Sequence, residues 1–342
     1  MDSENLLIAS TIMRAPSFDD AEAVADLFNA SSLDVSGERE IDVNELRREW
    51  QTPGFDLARD ARVVLTPEGQ IIGYGELWDV SEPHVRRFAF VRVHPAYRGR
   101  GIGTALNRWV EQRARETLHT APEGAQVVLG ASVVAHHRPA QDVLESLGFK
   151  PVRRFWRMVI ELNGRLEPAV WPDGFRVRQM QPGEERAFYH ALDEAFEDHW
   201  GHVPRPFEEA FEQWMHFVQN CESCDPELFF VVEDCHAGGE IAAAAYGLSA
   251  LPEDEHMGWV SMLGVRRNYR RRGIALALLR HIFAVFERRG QQRVGLSVDA
   301  ASLTNATRLY EKAGMSVTQE RIVFEKVLRE GKDLTRRQVD SF

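Results

Sequence analysis

Two stretches of this 342-residue chain combine arginine, glycine and a strand-to-helix transition in the same order. The first is His94-Pro95-Ala96-Tyr97-Arg98-Gly99-Arg100-Gly101-Ile102-Gly103, and the second is Arg267-Asn268-Tyr269-Arg270-Arg271-Arg272-Gly273-Ile274-Ala275. Each follows an apolar run that reads as a strand, Phe88 to Val93 or Trp259 to Val265, and opens one that reads as a helix. A chain that leaves a strand and turns tightly into a helix aims several backbone N–H groups at one spot, where the helix dipole adds partial positive charge. The chemistry this predicts is anion binding. Gly101 and Gly273 stand where a Cβ would block a diphosphate, Gly103 and Ala275 keep the first helical turn small, and the arginines favour a negative ligand.

Further matches make the pattern specific. Both copies carry an aromatic and an arginine ahead of the glycine (Tyr97-Arg98 and Tyr269-Arg270). Both are followed by a second βα unit ending in a similar phrase, Leu144-Glu145-Ser146-Leu147-Gly148-Phe149 or Tyr310-Glu311-Lys312-Ala313-Gly314-Met315. On these residues the chain resembles the GNAT superfamily of N-acyltransferases, whose coenzyme A loop reads R-x-x-G-x-G/A after a strand, and it does so twice. The resemblance implies a mixed α/β (α+β) fold with two GNAT-like domains. In each, a mainly antiparallel sheet splays after its fourth strand and is flanked by helices, and the pantetheine arm of acetyl-CoA lies in the gap. Backbone groups at Val91 and Val93, or Leu263 and Val265, would bond that arm. The loops Arg98, Gly99, Arg100, Gly101, Ile102, Gly103 and Arg270, Arg271, Arg272, Gly273, Ile274, Ala275 would hold the diphosphate.

The two copies are not equivalent. The family pattern places an asparagine and a tyrosine on the helix after the fifth strand, and the phrase Asn305 to Gly314 supplies both. Asn305 resembles the residue that bonds the coenzyme arm, and Tyr310 the general acid that protonates the departing thiolate. Counting back from Gly148 by the same steps gives Pro139 and Leu144, neither of which can do that work. His136 and His137 lie near the vacant position. Catalysis is therefore expected in the second half, by direct attack of a neutral amine on the thioester, with a backbone N–H near Leu263 aimed at the oxyanion. The base is not identified by the sequence. Some family members carry a carboxylate where Trp259 stands, and the remaining candidates are Glu197, Asp198, His199, Glu233, Asp234, Glu253, Glu255 and His256. Trp200, His202, Trp214 and His216 are candidates for lining an acceptor pocket.

The elements that must position these groups repeat with the loops. Gly101 and Gly273 are 172 residues apart and Gly148 and Gly314 are 166 apart, close to half the chain, which predicts a duplicated domain, 1–165 and 166–342. Asn163 to Pro168 reads as the linker. Each half predicts a strand (Leu7 to Arg14, or Phe175 to Arg178), two helices and a hairpin, then the strand, loop and helix already described. A βα unit and closing strands at Phe149 to Leu162 or Val317 to Val327 complete it.

Composition narrows the partners. The net charge is −11, with 20 basic against 24 acidic residues up to Arg165 and 21 against 28 beyond it, so neither half offers the basic face that nucleic acid or an anionic membrane requires. No apolar run approaches the roughly 20 residues of a membrane span, and the start Met1-Asp2-Ser3-Glu4-Asn5 lacks the basic flank of a secretion signal, which makes the cytoplasm the expected location. Cys221, Cys224 and Cys235 read as reduced thiols rather than a metal site, since a structural zinc site usually pairs two knuckles and these straddle a predicted strand. The expected acceptor is a primary amine of a small molecule or peptide. A non-catalytic acyl-CoA sensor and an interaction scaffold are the alternatives.

Overall fold

The computed structural model describes residues 11–252, 254–302 and 306–335. It divides into two compact units, Met1–Arg154 with Arg321–Leu334, and Phe155–Glu320 with Thr335–Phe342.

In the first unit, strand β1 (Ile12–Arg14) is followed by helices α1 (Ala21–Ser36), α2 (Val43–Glu49) and the single turn α3 (Leu57–Asp60). The Asp42 carboxylate accepts from the N–H groups of Asn44 and Glu45 and so starts α2, while Gly37 ends α1 in the left-handed conformation. Strands β2 (Ala61–Leu65), β3 (Ile71–Trp78) and β4 (Arg86–Val93) form an antiparallel meander, with Tyr74 opposite Arg92 and Glu76 opposite Phe90. Helix α4 (Ile102–Glu116) returns the chain to β5 (Val127–Val134), which pairs parallel to β4, and α5 (Arg138–Ser146) follows. Ile102 and Leu106 of α4 close onto Val64 and Ile72, and α1 and α2 pack Leu27, Phe28, Leu46 and Trp50 against Tyr74 on a second cluster.

Beyond α5 lie β6 (Lys150–Glu161) and, in the second half of the sequence, β7 (Phe175–Gln179), α6 (Glu185–Phe196), α7 (Phe207–Asn220), β8 (Phe229–Asp234), β9 (Glu240–Leu248) and β10 (Met257–Val265). Then come α8 (Ile274–Arg288), β11 (Arg293–Asp299), α9 (Ala306–Lys312) and β12 (Ser316–Arg329). The second unit repeats the antiparallel order β7-β8-β9-β10, followed by β11 parallel to β10.

The closing strands differ from a cut at residue 165. Antiparallel to β5 runs β12, with Arg321 opposite Val134 and Phe324 opposite Ala131, whereas β6 runs antiparallel to β11, with Met158 opposite Leu296. Each sheet is thus completed by a strand from the other half of the sequence. The side chains follow: Ile322, Phe324 and Leu328 are buried with Leu129, Ala131 and Leu144, and Met158 is buried with Val294 and Leu296. The expected linker is packed as well. The Gly164 N–H donates to Glu287, Glu167 pairs with Arg280, and Leu166 and Trp171 rest on the core of the second unit. The expected strand at Leu7 to Arg14 is Ile12–Arg14 within the described residues, and its first part lies outside them.

Candidate active site

The two arginine and glycine loops have the same backbone. Arg98 and Arg270 both sit at φ −66°, ψ 162°, after one turn of 3-10 helix (Pro95–Tyr97 and Arg267–Tyr269). Gly99 and Arg271 are left-handed, and Gly101 and Gly273, at φ 78° and 88°, precede α4 and α8. Neither of those helices has a side chain capping its first turn. Their first N–H groups are therefore directed at the loop concavity, which is what an anion site needs. The loop arginines divide the work. Arg98 pairs with Asp34 and bonds Ser31, and Arg270 donates to Asp198 (2.7 Å), to the Ala195 carbonyl (2.9 Å) and to the Val265 carbonyl (3.1 Å), so both tie the loop to the helix beside it. Arg100 and Arg272 lie over the rings of Tyr97 and Tyr269. The Arg271 side chain is exposed.

Both sheets splay where the fold requires. Parallel pairing of β4 with β5 ends at Ala89 opposite Ala131, and that of β10 with β11 at Trp259 opposite Gly295. Val91 and Val93, and Leu263 and Val265, lie beyond those points, so the edges they present to β5 and β11 are unpaired by the neighbouring strand. In the first unit the gap opens into a cavity of about 440 Å³ that runs from Arg98, Gly101 and Gly103 along Val91 to Ser132, and both Pro139 and Leu144 line it.

Only one splay carries a bulge among the described strands of this type. The register of β9 with β10 shifts between Val260 and Met262, leaving Ser261 as the extra residue just past the last parallel pair, whereas β3 and β4 stay in register from Gly73 to Trp78. A bulge turns a backbone group out of the ladder and re-aims it. Nothing in the residue pattern marks Ser261, because a single inserted residue leaves the apolar run intact.

Tyr310 lies on α9, half-buried against the core of the second unit. Burial alone pushes its pKa up to about 12, so the phenol is protonated through the physiological range. Asn305 lies outside the described residues. The tryptophan at 259 has a packing role: a Cβ on Gly295 would come within 2.7 Å of its ring, and the Arg157 guanidinium lies over it at 5.3 Å. Glycine at 295 is what lets that ring fill the apex of the splay.

The candidate bases separate by their partners. Asp198 is buried and accepts from both Arg267 and Arg270, which hold its carboxyl far below the usual range and remove it as a base. Glu233 is held low by Arg176 and Arg178, Asp234 caps the turn at His236, and Glu197 pairs with Arg267. Glu255 and His256 are exposed and face each other at 3.7 Å, and Glu253 lies outside the described residues. His199 differs. The residue is exposed, its ring lies against Phe196 at 4.2 Å, and partial desolvation pulls its pKa below the ordinary histidine value against the opposing charge of Asp299 at the end of β11. Trp214 is buried among Phe188, Tyr189 and Tyr246, as a helix-packing residue. Of the thiols, Cys221 and Cys224 follow α7 and Cys235 follows β8, and no group of metal-holding side chains occurs among the described residues. No helix among them is long and apolar enough to cross a membrane.

Sequence reasoning also passed over a polar cluster in the first unit. Arg92 grips Glu40 with two guanidinium nitrogens, and Trp50 donates to the Tyr74 hydroxyl, which donates to Glu76. An arginine inside the apolar run of β4 was the available signal.

The model of the acetyltransferase (GNAT) family matches residues 22–149 and again 186–315. A GCN5-related N-acetyltransferase from Sphaerobacter thermophilus is 37% identical, with a TM-score of 0.79, over 95% of this chain and 98% of that one. A mycothiol acetyltransferase of Thermobispora bispora is 30% identical over 75% of this chain and 80% of its own length. The tandem GNAT protein from the clavulanic acid biosynthesis pathway shares the fold at 15% identity, with a TM-score of 0.70 over 94% of this chain and all of that one. The chain belongs to the GNAT acetyltransferase family and carries that fold twice in tandem.

Proposed function

We propose that this acetyltransferase moves the acetyl group of acetyl-CoA to a primary amine of a small molecule or peptide, and that the second unit catalyses the transfer. The observation that carries this reading is a phenol kept protonated, Tyr310, on the helix that follows the splayed strands, where the first unit has the apolar Leu144. The bulge at Ser261 supports it, by placing a re-aimed backbone group at the apex of the same splay. The curated relatives named mycothiol acetyltransferase favour a small-molecule acceptor.

In this reading the N–H groups of Gly273, Ile274 and Ala275 and the Arg271 side chain hold the diphosphate, with Arg270 and Arg272 shaping the loop. Leu263 and Val265 supply backbone groups along the pantetheine arm, and Asn305 a further bond. The thioester supplies the acetyl group. His199 accepts the proton of the incoming ammonium, directly or through water, and Tyr310 donates one to the leaving thiolate, so both substrates must be bound together. Arg98, Gly99, Arg100, Gly101, Ile102 and Gly103, with Val91 and Val93, form the corresponding coenzyme site of the first unit.

Replacing Tyr310 by Phe tests the assignment. The expected result is unchanged coenzyme binding with turnover lowered by about a hundredfold or more. Unchanged turnover would remove Tyr310 from the mechanism.

A further inference from the structure

The cavity of the first unit is lined by a guanidinium that no carboxylate touches among the described residues. Arg321, brought in by β12, stands opposite Val134, and its Nε donates to the Ser132 hydroxyl at 3.2 Å and its Nη2 to the Ser132 carbonyl at 3.4 Å. Those two bonds occupy two of its five N–H groups. The acid nearest in charge is Glu40, and Glu40 is gripped through two bonds by Arg92. Arg92 takes both oxygens of Glu40 and also faces Glu76 and Glu49, so Arg321 is left without a carboxylate bonded to it among the described residues. Burial and the neighbouring Arg92 both weigh against the charge on Arg321. Arg321 is half-buried and lines the cavity with donors to spare, and a guanidinium with free N–H groups beside apolar walls is a ready partner for a carboxylate.

The position of Arg321 says which part of a ligand that anion belongs to. The loop end of the cavity, at Arg98, Gly101 and Gly103, is where a diphosphate sits in the coenzyme reading, and this inference rests on that reading. Ser132 is the first residue of β5 past the last parallel pair, so Arg321 marks the opposite end, the apex of the splay. An arm that starts at the loop and runs between the strands reaches the apex with its thioester. The walls on the way are apolar, at Ala89, Val91, Ala131 and Val133. Near Arg321, therefore, the anion is carried by the acyl group.

We propose that the first unit binds the coenzyme A thioester of a short dicarboxylic acid, with Arg321 holding the free carboxylate. With Leu144 where the second unit has Tyr310, the site retains such a ligand without a phenol to protonate a leaving thiolate.

The test uses the full chain carrying Gly273→Val, which strains the loop of the second unit at its left-handed position and leaves the first unit as the site measured. Calorimetric titration with CoA, acetyl-CoA and succinyl-CoA is expected to show binding of all three, with succinyl-CoA tighter than acetyl-CoA by about tenfold or more. Arg321→Met should level the two thioesters and leave CoA unchanged, and Arg321→Lys, which keeps charge and stem, should retain part of the preference. Equal binding of the two thioesters with CoA binding intact would overturn the carboxylate assignment alone. Loss of all three ligands would instead overturn the coenzyme reading of the first loop. Free succinate binding to the CoA-loaded protein as tightly as succinyl-CoA binds would move the carboxylate to a separate molecule and also defeat the proposal.

Discussion

Arg271 holds, at φ 61°, the left-handed position that Gly99 holds at φ 77° in the other loop. A non-glycine residue there costs roughly 1–2 kcal/mol of backbone strain, offset by about 0.5–1 kcal/mol because glycine loses more freedom on folding. Arg271→Gly should therefore stabilise the second unit by up to about 1 kcal/mol in urea denaturation. Coenzyme affinity should fall in the same variant, since the exposed cation is lost. The reverse change, Gly99→Arg, meets no atom within 4 Å of the new Cβ and should cost a similar amount for conformational reasons alone. Stability changes of the opposite sign would show that the loops tolerate the two residues for some other reason.

Asp198 ties the second loop to α6, accepting from Arg267 at 2.6 and 2.8 Å and from Arg270 at 2.7 Å. Its folded pKa is lowered by those hydrogen bonds, so the stability it confers is complete above the unfolded value of about 4 and is lost as pH falls below it. Asp198→Asn should cost about 1–3 kcal/mol at pH 7, at the low end because both arginines are partly exposed. The gap between wild type and variant should close as the titration is carried down from pH 5. A gap that persists at low pH would mean the charge is not what matters.

Residues that act through their own chemical type were readable without coordinates. The glycines and arginines of both loops, Tyr310 against Leu144, and the strand and helix periods all follow from local constraints on φ, size and polarity. What was not readable depends on partners distant in sequence. Periodicity shows that Ile322, Phe324 and Leu328 share a buried face, and it does not say that β5 rather than β11 lies beside them. The packing role of Trp259 likewise depends on Gly295, a strand away in the fold and 36 residues away in sequence, whose missing Cβ makes room for the ring. Among eight candidate bases the sequence could not rank any, because the arginines that neutralise Asp198 and Glu233 are brought to them by other elements.

The surroundings of His199 disfavour its charged form, and a neutral imidazole can accept a proton. If it is the base, activity should fall as pH drops through a value below the ordinary histidine pKa of about 6.5. His199→Gln should abolish that acid limb and reduce kcat/KM at pH 7 by about a hundredfold. Raising the pH should restore part of the loss, since more of the amine then arrives already deprotonated. A His199→Gln profile that keeps the wild-type acid limb would transfer the role to another group.

Phe324 is 1% exposed and sits opposite Ala131 of β5, although it lies 18 residues from the end of the chain. Removing its ring should cost about 3–5 kcal/mol, the usual penalty for truncating a buried phenylalanine. That cost should fall on the first unit, whose core also contains Leu129, Ala131 and Leu144. Hydrogen exchange of Phe324→Ala is therefore expected to show faster opening of β4 and β5, with β10 and β11 keeping wild-type protection. The opposite pattern, with β10 and β11 opening first, would assign β12 to the sheet of the second unit and remove the strand exchange.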